Sequence, residues 1–252
     1  MNNLLCLNNV NMIYHSPAGE TLALKDMNFC LGENEFLSLV GPSGCGKTTI
    51  LSLISGLLKP TSGSISYIDG KQRIKIGYML QRDHLFEWRT IWQNIILGLE
   101  IKKDKTPEKL DFARNLLEKY GLGEFADSYP RQLSGGMRQR VALIRTLATA
   151  PDMLLLDEPF SALDYQTRLN ITDDVHAIIK NEHKSTVLVT HDIGEAISMS
   201  DRILVLSARP ACVVSTYTPD FDPNLTPLQR REHKDFGKWF DLVWKDFQHE
   251  KH

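Results

Sequence analysis

The chain has 252 residues, of which 42% are hydrophobic and 24% are charged, and its formal net charge at pH 7 is −2. These values are ordinary for a globular protein with a full core, and they argue against a basic surface for nucleic acid. No apolar run approaches the about 18 to 20 residues that span a bilayer, and the first residues do not resemble a signal peptide. We therefore expect a soluble cytoplasmic protein that reaches a membrane only through a partner.

The four cysteines give a further expectation about compartment and metal. They are Cys6, Cys30, Cys45 and Cys212, and no two of them have the C-x-x-C spacing. The absence of this spacing argues against a zinc site and suits a reducing compartment.

Short β-like runs occupy the first 40 residues. Turn residues at 16–19 and 32–34 separate three predicted strands, Leu4–Val10, Leu22–Leu31 and Phe36–Val40. Tyr14 lies just before the first turn, where its ring either stacks on a purine base or packs on its own sheet.

A phosphate-binding pattern follows the third strand. The pattern G-x-x-x-x-G-K-[ST] is matched by the stretch Gly41, Pro42, Ser43, Gly44, Cys45, Gly46, Lys47, Thr48 and Thr49. Its glycines let backbone N–H groups point at an anion, Lys47 can neutralise phosphate charge, and the Thr48 hydroxyl can bind Mg²⁺. A helical apolar pattern from Ile50 to Leu58 comes next, so the loop would deliver phosphate to a helix N-terminus. Kinases, GTPases and motor ATPases share this loop, so later residues must distinguish them.

The middle of the chain reads as an insertion into an α/β core. Two more strands are predicted at Gly63–Asp69 and Ile74–Leu80, and the second ends at Gln81. From Arg82 to Leu133 the sequence turns aromatic and charged, with a helical pattern over Glu108–Tyr120. We interpret this stretch as mainly helical.

A second candidate anion site begins the next helical pattern. Ser134 is a natural N-cap, and Gly135 and Gly136 leave the helix start open. The apolar run Met153–Leu156 is then typical of a strand buried on both faces. It ends at Asp157 and Glu158, the position where ligands bind in open α/β sheets.

The last part of the chain contains two further predicted strands and two helices. A helix follows Asp164 to about Asn181, and Thr186–Val189 is a strand that ends just before His191. Ile203–Leu206 is predicted as the last strand. Aromatic residues at helical spacing predict a final amphipathic helix that packs on the main domain, namely Phe236, Trp239, Phe240 and Phe247 with Val243.

The order of these motifs resembles the nucleotide-binding subunits of ATP-binding-cassette (ABC) transporters. The residues that carry the resemblance are Gly41–Thr49, Gln81, Leu133–Gly136, Asp157 with Glu158, Ser161–Asp164, and His191. A shallower resemblance, to nitrate/sulfonate/taurine-type importer ATPases, rests on Trp88–Thr90, Leu97–Glu100, Met137–Arg140 and Leu206–Pro210. Met137 stands where the commonest family pattern has Gln.

The resemblance implies an α/β fold with a P-loop NTPase core, an N-terminal antiparallel β subdomain and an inserted helical subdomain that carries the signature motif. It implies an ABC ATPase domain over residues 1–210, with the helical subdomain at about 82–150. The remaining residues, 211–252, would form a C-terminal tail with the amphipathic helix.

The resemblance also implies ATP hydrolysis with Mg²⁺ and a role for each matching residue. The catalytic residues would be Glu158 as the base, Gln81 as the sensor of metal and water, and His191 at the γ-phosphate. The metal would be bound by Thr48, Gln81 and Asp157, and the nucleotide by Tyr14 and Gly41–Thr49. Ser134, Gly135 and Gly136 would complete the site of a second copy, with Asp164 at the seam.

The implied partners are a second ATP-binding subunit, a transmembrane permease docked near Trp88 on the cytoplasmic face of the membrane, and indirectly a solute-binding protein. Nucleic acid is not among them. Nitrate, sulfonates, taurine and thiamine precursors are all compatible solutes. An exporter ATPase and a soluble ABC ATPase acting on nucleic acid or ribosomes are the alternatives, and the short insertion with no basic face disfavours the latter.

Overall fold

The computed structural model describes residues 3–17, 19–67 and 74–249. Residues 18, 68 and 69, which fall in the predicted first turn and in the predicted strand Gly63–Asp69, lie outside the described residues. The strands are β1 Asn3–Ser16, β2 Gly19–Gly32, β3 Phe36–Val40, β4 Ser62–Tyr67, β5 Ile76–Met79, β6 Met153–Asp157, β7 Ser185–Thr190, β8 Arg202–Leu206 and β9 Val213–Tyr217. The helices are α1 Lys47–Ile54, α2 Ile91–Ile95, α3 Leu97–Ile101, α4 Pro107–Lys119, α5 Gly135–Leu147, α6 Tyr165–Asn181, α7 Ile193–Met199, α8 Pro227–Glu232 and α9 Phe236–His249.

The described chain divides into two compact units, residues 1–74 with 183–252, and residues 75–182. In the first unit an antiparallel sheet has the strand order β2-β1-β4. Strands β1 and β2 are each 14 residues long, so both are longer than the predicted Leu4–Val10 and Leu22–Leu31, because their pairing continues through polar residues up to the turn.

A disulfide joins Cys6 to Cys30 within this sheet. The spacing of the cysteines suits a reducing compartment, and the structure differs from that expectation at these two positions. The two residues are direct partners in the antiparallel pairing of β1 with β2, with Cα atoms 4.0 Å apart, so the register itself places the sulfur atoms together. Cys45 and Cys212 are free thiols.

The second sheet of this unit has β3 between β7 and β8, all parallel, with β9 antiparallel beside β8. All five residues of β3 are buried, which explains why four of them are apolar, and the hydroxyl of the buried Ser38 is hydrogen-bonded to that of Ser200. The prediction that Ile203–Leu206 is the last strand is wrong, because β9 follows it. The alternating partial exposure and the Ser and Thr residues of β9 weaken its apolar signal.

The C-terminal helix α9 packs on this sheet, as its aromatic spacing predicts. Val243 and Phe247 are buried in one cluster with Val40 of β3, while Trp239 and Phe240 pack partly buried against it. The residue boundaries proposed for the ATPase domain, helical subdomain and tail stay a prediction.

The second unit contains the parallel pair β5 and β6 and helices α2 to α6. Helix α4 confirms the predicted helical pattern within one residue at each end, with Pro107 at its first turn. In the first unit α1 is shorter than its apolar pattern predicts and ends at Ile54. Among the described residues, none of the helices combines the length and apolar character needed to cross a membrane.

Candidate nucleotide site

The phosphate loop of the first unit depends on its glycines. Gly44 and Gly46 have φ of +75° and +130°, a backbone region that side chains rarely adopt. A Cβ on Gly46 would also lie 2.9 Å from Cδ2 of Leu24, and one on Gly41 would lie 2.9 Å from Sγ of Cys45. A larger residue at Gly41 or Gly46 would therefore force neighbouring atoms to move, and one at Gly44 would strain the backbone.

Lys47 is held within the loop that it follows. Its Nζ donates to the carbonyl oxygens of Gly41 at 2.8 Å and Pro42 at 3.0 Å, and the residue is only 5% exposed. Helix α1 begins at Lys47, so the free N–H groups of its first turn and the ammonium lie at the same place. A buried cation at a helix N-terminus is chemically suited to phosphate.

Two predicted residues lie beside this loop within the first unit. The hydroxyl of Tyr14 is 3.1 Å from Oγ1 of Thr49, and the Tyr14 side chain is half-exposed. His191 follows β7, whose last residue Thr190 is the register partner of Val40, the residue just before the loop. The exposed His191 and the phosphate loop therefore emerge from the same edge of the sheet.

Arg209, for which no role was predicted, contacts the phosphate loop directly. Its Nη2 donates to the carbonyl oxygen of Gly44 at 2.7 Å. The segment around it also packs on the loop, since Leu206 and Ala211 lie close to the Cα positions of Gly41 and Gly46. The stretch Leu206–Pro210 contributed to the resemblance to importer ATPases, but no chemical role was predicted for it. The contact of Arg209 with Gly44 gives this stretch a structural role beside the phosphate loop.

The strand-end carboxylates of the second unit lie as predicted at the end of β6. Asp157 is half-buried and accepts a hydrogen bond from the Tyr78 hydroxyl at 3.3 Å. Burial, together with the Asp157 charge, raises the pKa of Tyr78 well above its usual value, so the phenol stays a donor. One carboxylate oxygen of Asp157 is thereby oriented by the neighbouring strand β5.

Glu158 has a backbone conformation that is uncommon for its residue type. Its φ is +46°, and strained residues of this kind are often found at functional sites. The hydroxyl of Ser161 donates to its carbonyl oxygen at 3.0 Å, and Nε2 of Gln81 donates to the same hydroxyl at 3.1 Å. The structure thus links Gln81 to the turn that carries Glu158.

The signature residues form the beginning of α5. Oγ of Ser134 accepts a hydrogen bond from the backbone N–H of Met137 at 3.3 Å, so Ser134 is the predicted N-cap, and it is exposed. A Cβ on Gly135 would lie 3.1 Å from Cδ2 of Leu163, and Gly136 is near α6. These glycines therefore let the signature approach the Ser161–Asp164 stretch closely.

Asp164, which is predicted to lie at a dimer seam, also has a structural role within its own unit. It is the N-cap of α6, with Oδ1 accepting from the backbone N–H of Thr167 at 3.0 Å. These hydrogen bonds lower the pKa of the exposed Asp164 carboxyl. A charged cap at this position stabilises the start of α6.

The residues predicted to hold Mg²⁺ offer a hydroxyl from Thr48 at the start of α1, a carboxylate from Asp157 at the end of β6, and a side-chain amide from Gln81. No cluster of three or more His, Cys, Asp or Glu side chains that could hold a metal occurs in the described part of the chain. Mg²⁺ is commonly bound by one or two protein ligands together with substrate phosphates and water. The chemistry of each of these oxygen donors fits a metal that arrives with a nucleotide.

A phosphate loop at a strand–helix junction and a strand-end acidic pair define the class, a P-loop nucleotide-binding protein. Comparison with known proteins gives the family. The model of the ABC transporter family matches residues 24–161. The chain therefore belongs to the ABC transporter family, and it is an ABC ATPase.

Three relatives cover most of the chain. The uncharacterized ABC transporter ATP-binding protein YtlC of Bacillus subtilis is 44% identical over 96% of this chain and 95% of its own length. The taurine import ATP-binding protein TauB of Pelagibacter ubique is 43% identical over 84% of this chain and 82% of its own. The nitrate import ATP-binding protein NrtD of Synechocystis is 41% identical over 94% and 92%.

Two solved structures confirm the predicted fold class. The dimeric ABC transporter cassette MJ0796 is 33% identical with a TM-score of 0.72, and the match covers 87% of this chain and all of that one. The same cassette in a post-hydrolysis state bound to ADP and phosphate matches with a TM-score of 0.70 at 32% identity, over 87% of this chain and all of that one.

Proposed function

We propose that this chain is the ATP-hydrolysing subunit of a solute importer, and that it works as a pair of cassettes bound to a membrane permease. The observation that carries the catalytic part is the end of β6, where Asp157 is the last residue of a buried strand and Glu158, with its positive φ, follows it. The import part is supported by relatives that are named for taurine and nitrate import at 43% and 41% identity.

Each site residue has a role that follows from its chemistry. Lys47 and the loop N–H groups neutralise and orient the phosphates, and Tyr14 lies beside the purine ring of the nucleotide. Mg²⁺ held by Thr48 and Asp157, with Gln81 nearby in its shell, would supply further charge neutralisation at the phosphates. Glu158 accepts the proton of the attacking water, and His191 donates to the γ-phosphate.

The second cassette supplies the signature to the first. Ser134 is exposed, and its hydroxyl hydrogen remains able to donate while its oxygen caps α5. Ser134, Gly135 and Gly136 would therefore bind the γ-phosphate of a nucleotide on the partner's loop, with Asp164 close to the seam. The dimeric cassette found among the solved structures supports this arrangement.

The surface after Gln81 would bind the permease. Trp88 is 74% exposed and stacks on Phe86 with ring centroids 4.8 Å apart. A large exposed aromatic held rigidly by a neighbour is the kind of residue that anchors protein interfaces. The permease would hold the chain at the cytoplasmic face of the membrane.

The solute would be nitrate, a sulfonate, taurine or a thiamine-precursor-like molecule, bound by the permease and a separate solute-binding protein. The taurine and nitrate relatives have nearly the same identity to this chain, so overall identity does not favour either of their named solutes. Transport assays with the permease encoded beside this chain would identify the solute.

The variant Glu158→Gln tests the catalytic and dimeric parts together. It keeps the size of the side chain but removes the base, so turnover should fall by at least about 100-fold while ATP still binds. Uncleaved ATP should then hold two chains together, and light scattering behind a sizing column should show a dimer with ATP and a monomer with ADP.

The control is Lys47→Ala, which should abolish both ATP binding and the dimer. Normal hydrolysis by Glu158→Gln would remove Glu158 from the role of base. An inactive Glu158→Gln that stays monomeric with ATP would contradict the composite site.

A further inference from the structure

Two arginines on one face of α5 hold the loop that follows Gln81. Arg138 and Arg145 are two helical turns apart, so their side chains project from the same face. Nη2 and Nη1 of Arg145 donate to the carbonyl oxygens of Asp83 at 2.6 Å and His84 at 2.8 Å. The backbone of this loop is therefore fixed to the helix that begins with the signature.

Arg138 makes a more specific link than Arg145. Its Nε donates to Oδ2 of Asp83 at 3.1 Å, and its Nη1 donates to the carbonyl oxygen of Leu133 at 3.1 Å. Asp83 lies two residues after Gln81, and Leu133 lies immediately before Ser134. One guanidinium group thus bridges the residues adjacent to two separate parts of the candidate site.

The other oxygen of Asp83 completes the arrangement. Oδ1 accepts from the backbone N–H of Leu85 at 3.1 Å, so the carboxylate is held by its own loop as well as by Arg138. At the other end of the loop, Gln81 donates to Ser161, which donates to the carbonyl oxygen of Glu158. A continuous series of polar contacts therefore runs from the signature, through Arg138 and the loop, to the turn that carries Glu158.

We propose that Arg138 is a positioning residue for ATP hydrolysis, which couples the placement of Gln81 to that of the signature serine through Asp83. The inference rests on the proposed roles of Gln81, Ser134 and Glu158. The ion pair is 35% and 25% exposed at its two side chains, so its contribution to fold stability is small. Its effect falls instead on the geometry of the groups at either end.

The test is a double-mutant cycle with Arg138→Gln, Asp83→Asn and the double variant, followed by steady-state ATPase measurements. Each single variant should lower kcat by about 10-fold, because small displacements of positioning groups are costly in catalysis. The KM for ATP should change by less than about 2-fold, since the nucleotide contacts of Lys47 are intact. The double variant should be no slower than either single variant, because both remove the same contact.

Two further variants separate this role from a structural one. Arg138→Lys, which keeps the charge and a donor group but not the planar guanidinium that reaches both acceptors, should recover part of the lost kcat. Lys119→Gln is the matched control. It removes an ion pair in the same unit, with Glu182 at 2.8 Å, and this pair contacts neither the loop after Gln81 nor the signature. It should leave kcat unchanged, and all variants should melt within a few degrees of the parent chain.

An unchanged kcat in Arg138→Gln would overturn the inference. So would effects that multiply in the double variant, no recovery in Arg138→Lys, or an equal loss in Lys119→Gln. Lys47→Ala distinguishes this failure from failure of the proposed function. If Lys47→Ala hydrolyses ATP normally, the nucleotide site itself is misassigned, whereas an inactive Lys47→Ala beside a normal Arg138→Gln contradicts the coupling alone.

Discussion

The left-handed backbone at Glu158 can be measured by comparing two variants that both lack its side chain, Glu158→Ala and Glu158→Gly. They differ only in the Cβ atom, so any other contact of the glutamate cancels in the comparison. A φ of +46° destabilises a folded chain with an L-residue there by about 1 to 2 kcal/mol, and glycine removes this cost. Glycine also loses more backbone freedom on folding, which offsets about 0.5 to 1 kcal/mol of that gain. The glycine variant should therefore be more stable than the alanine variant by about 0.5 to 1 kcal/mol.

The assay is thermal or urea unfolding of both variants, with ATPase activity measured in parallel. For a chain of this size, a stability difference of about 1 kcal/mol corresponds to about 2 to 4 °C in Tm. Both variants should lose at least about 100-fold in turnover, because neither has the carboxylate. The more stable variant would thus remain inactive, which is expected when backbone strain is kept for a functional side chain.

A matched substitution at an ordinary helical position gives the opposite sign. Ala177 is exposed on α6, and Ala177→Gly should lower stability by about 1 kcal/mol, because glycine is a poor helix former. If Glu158→Gly is no more stable than Glu158→Ala while Ala177→Gly behaves as expected, the backbone at Glu158 is not strained. The positive φ of Glu158 would then give no support to a functional role for this residue.

Three other predictions concern the nucleotide site and the docking surface. Arg209→Gln should raise the KM for ATP several-fold with a smaller change in kcat, because it frees the Gly44 carbonyl and loosens the phosphate loop; an unchanged KM would contradict this. Burial raises the pKa of the Cys45 thiol, so its alkylation should be slow near neutral pH and become faster only above the ordinary thiol pKa. Mass spectrometry would measure the rate, and a fast reaction at pH 7 would instead show an accessible thiolate. Trp88→Ala should leave the ATPase of the isolated chain and its Tm unchanged but reduce transport by the reconstituted complex, and a joint fall in ATPase and Tm would assign Trp88 to the fold.

The phosphate loop and the strand-end acids could be predicted from the sequence because their chemistry depends on neighbouring residues in the chain. Gly41–Thr49 shape their own backbone, and Asp157 follows directly from the buried strand before it. The contact between Arg209 and Gly44 could not be predicted, since it joins residues 165 positions apart. The contact of Arg138 with Asp83 likewise depends on how α5 packs against a distant loop.

Local sequence rules also give the wrong expectation at one important residue. Pro159 follows Glu158, and a residue before proline is normally biased towards extended backbone. Glu158 has a positive φ instead, so the surrounding structure overrides the local preference. The hydrogen bonds to its carbonyl oxygen from Ser161 are part of that surrounding structure, and no pattern in the sequence announces them.

The C-terminal helix shows why a segment that reads as a tail belongs to the core of the first unit. Val243 and Phe247 of α9 are 0% and 4% exposed, and they share a cluster with Val40, the residue that leads into the phosphate loop. The hydroxyl of Tyr217 in β9 also donates to Asp246 at 2.6 Å. Burying these two apolar side chains contributes about 3 to 6 kcal/mol, a large part of the about 5 to 15 kcal/mol by which domains are stable. Removing α9 would therefore expose the sheet face that Val40 shares with it, so we expect the strand that leads into the phosphate loop to depend on this helix.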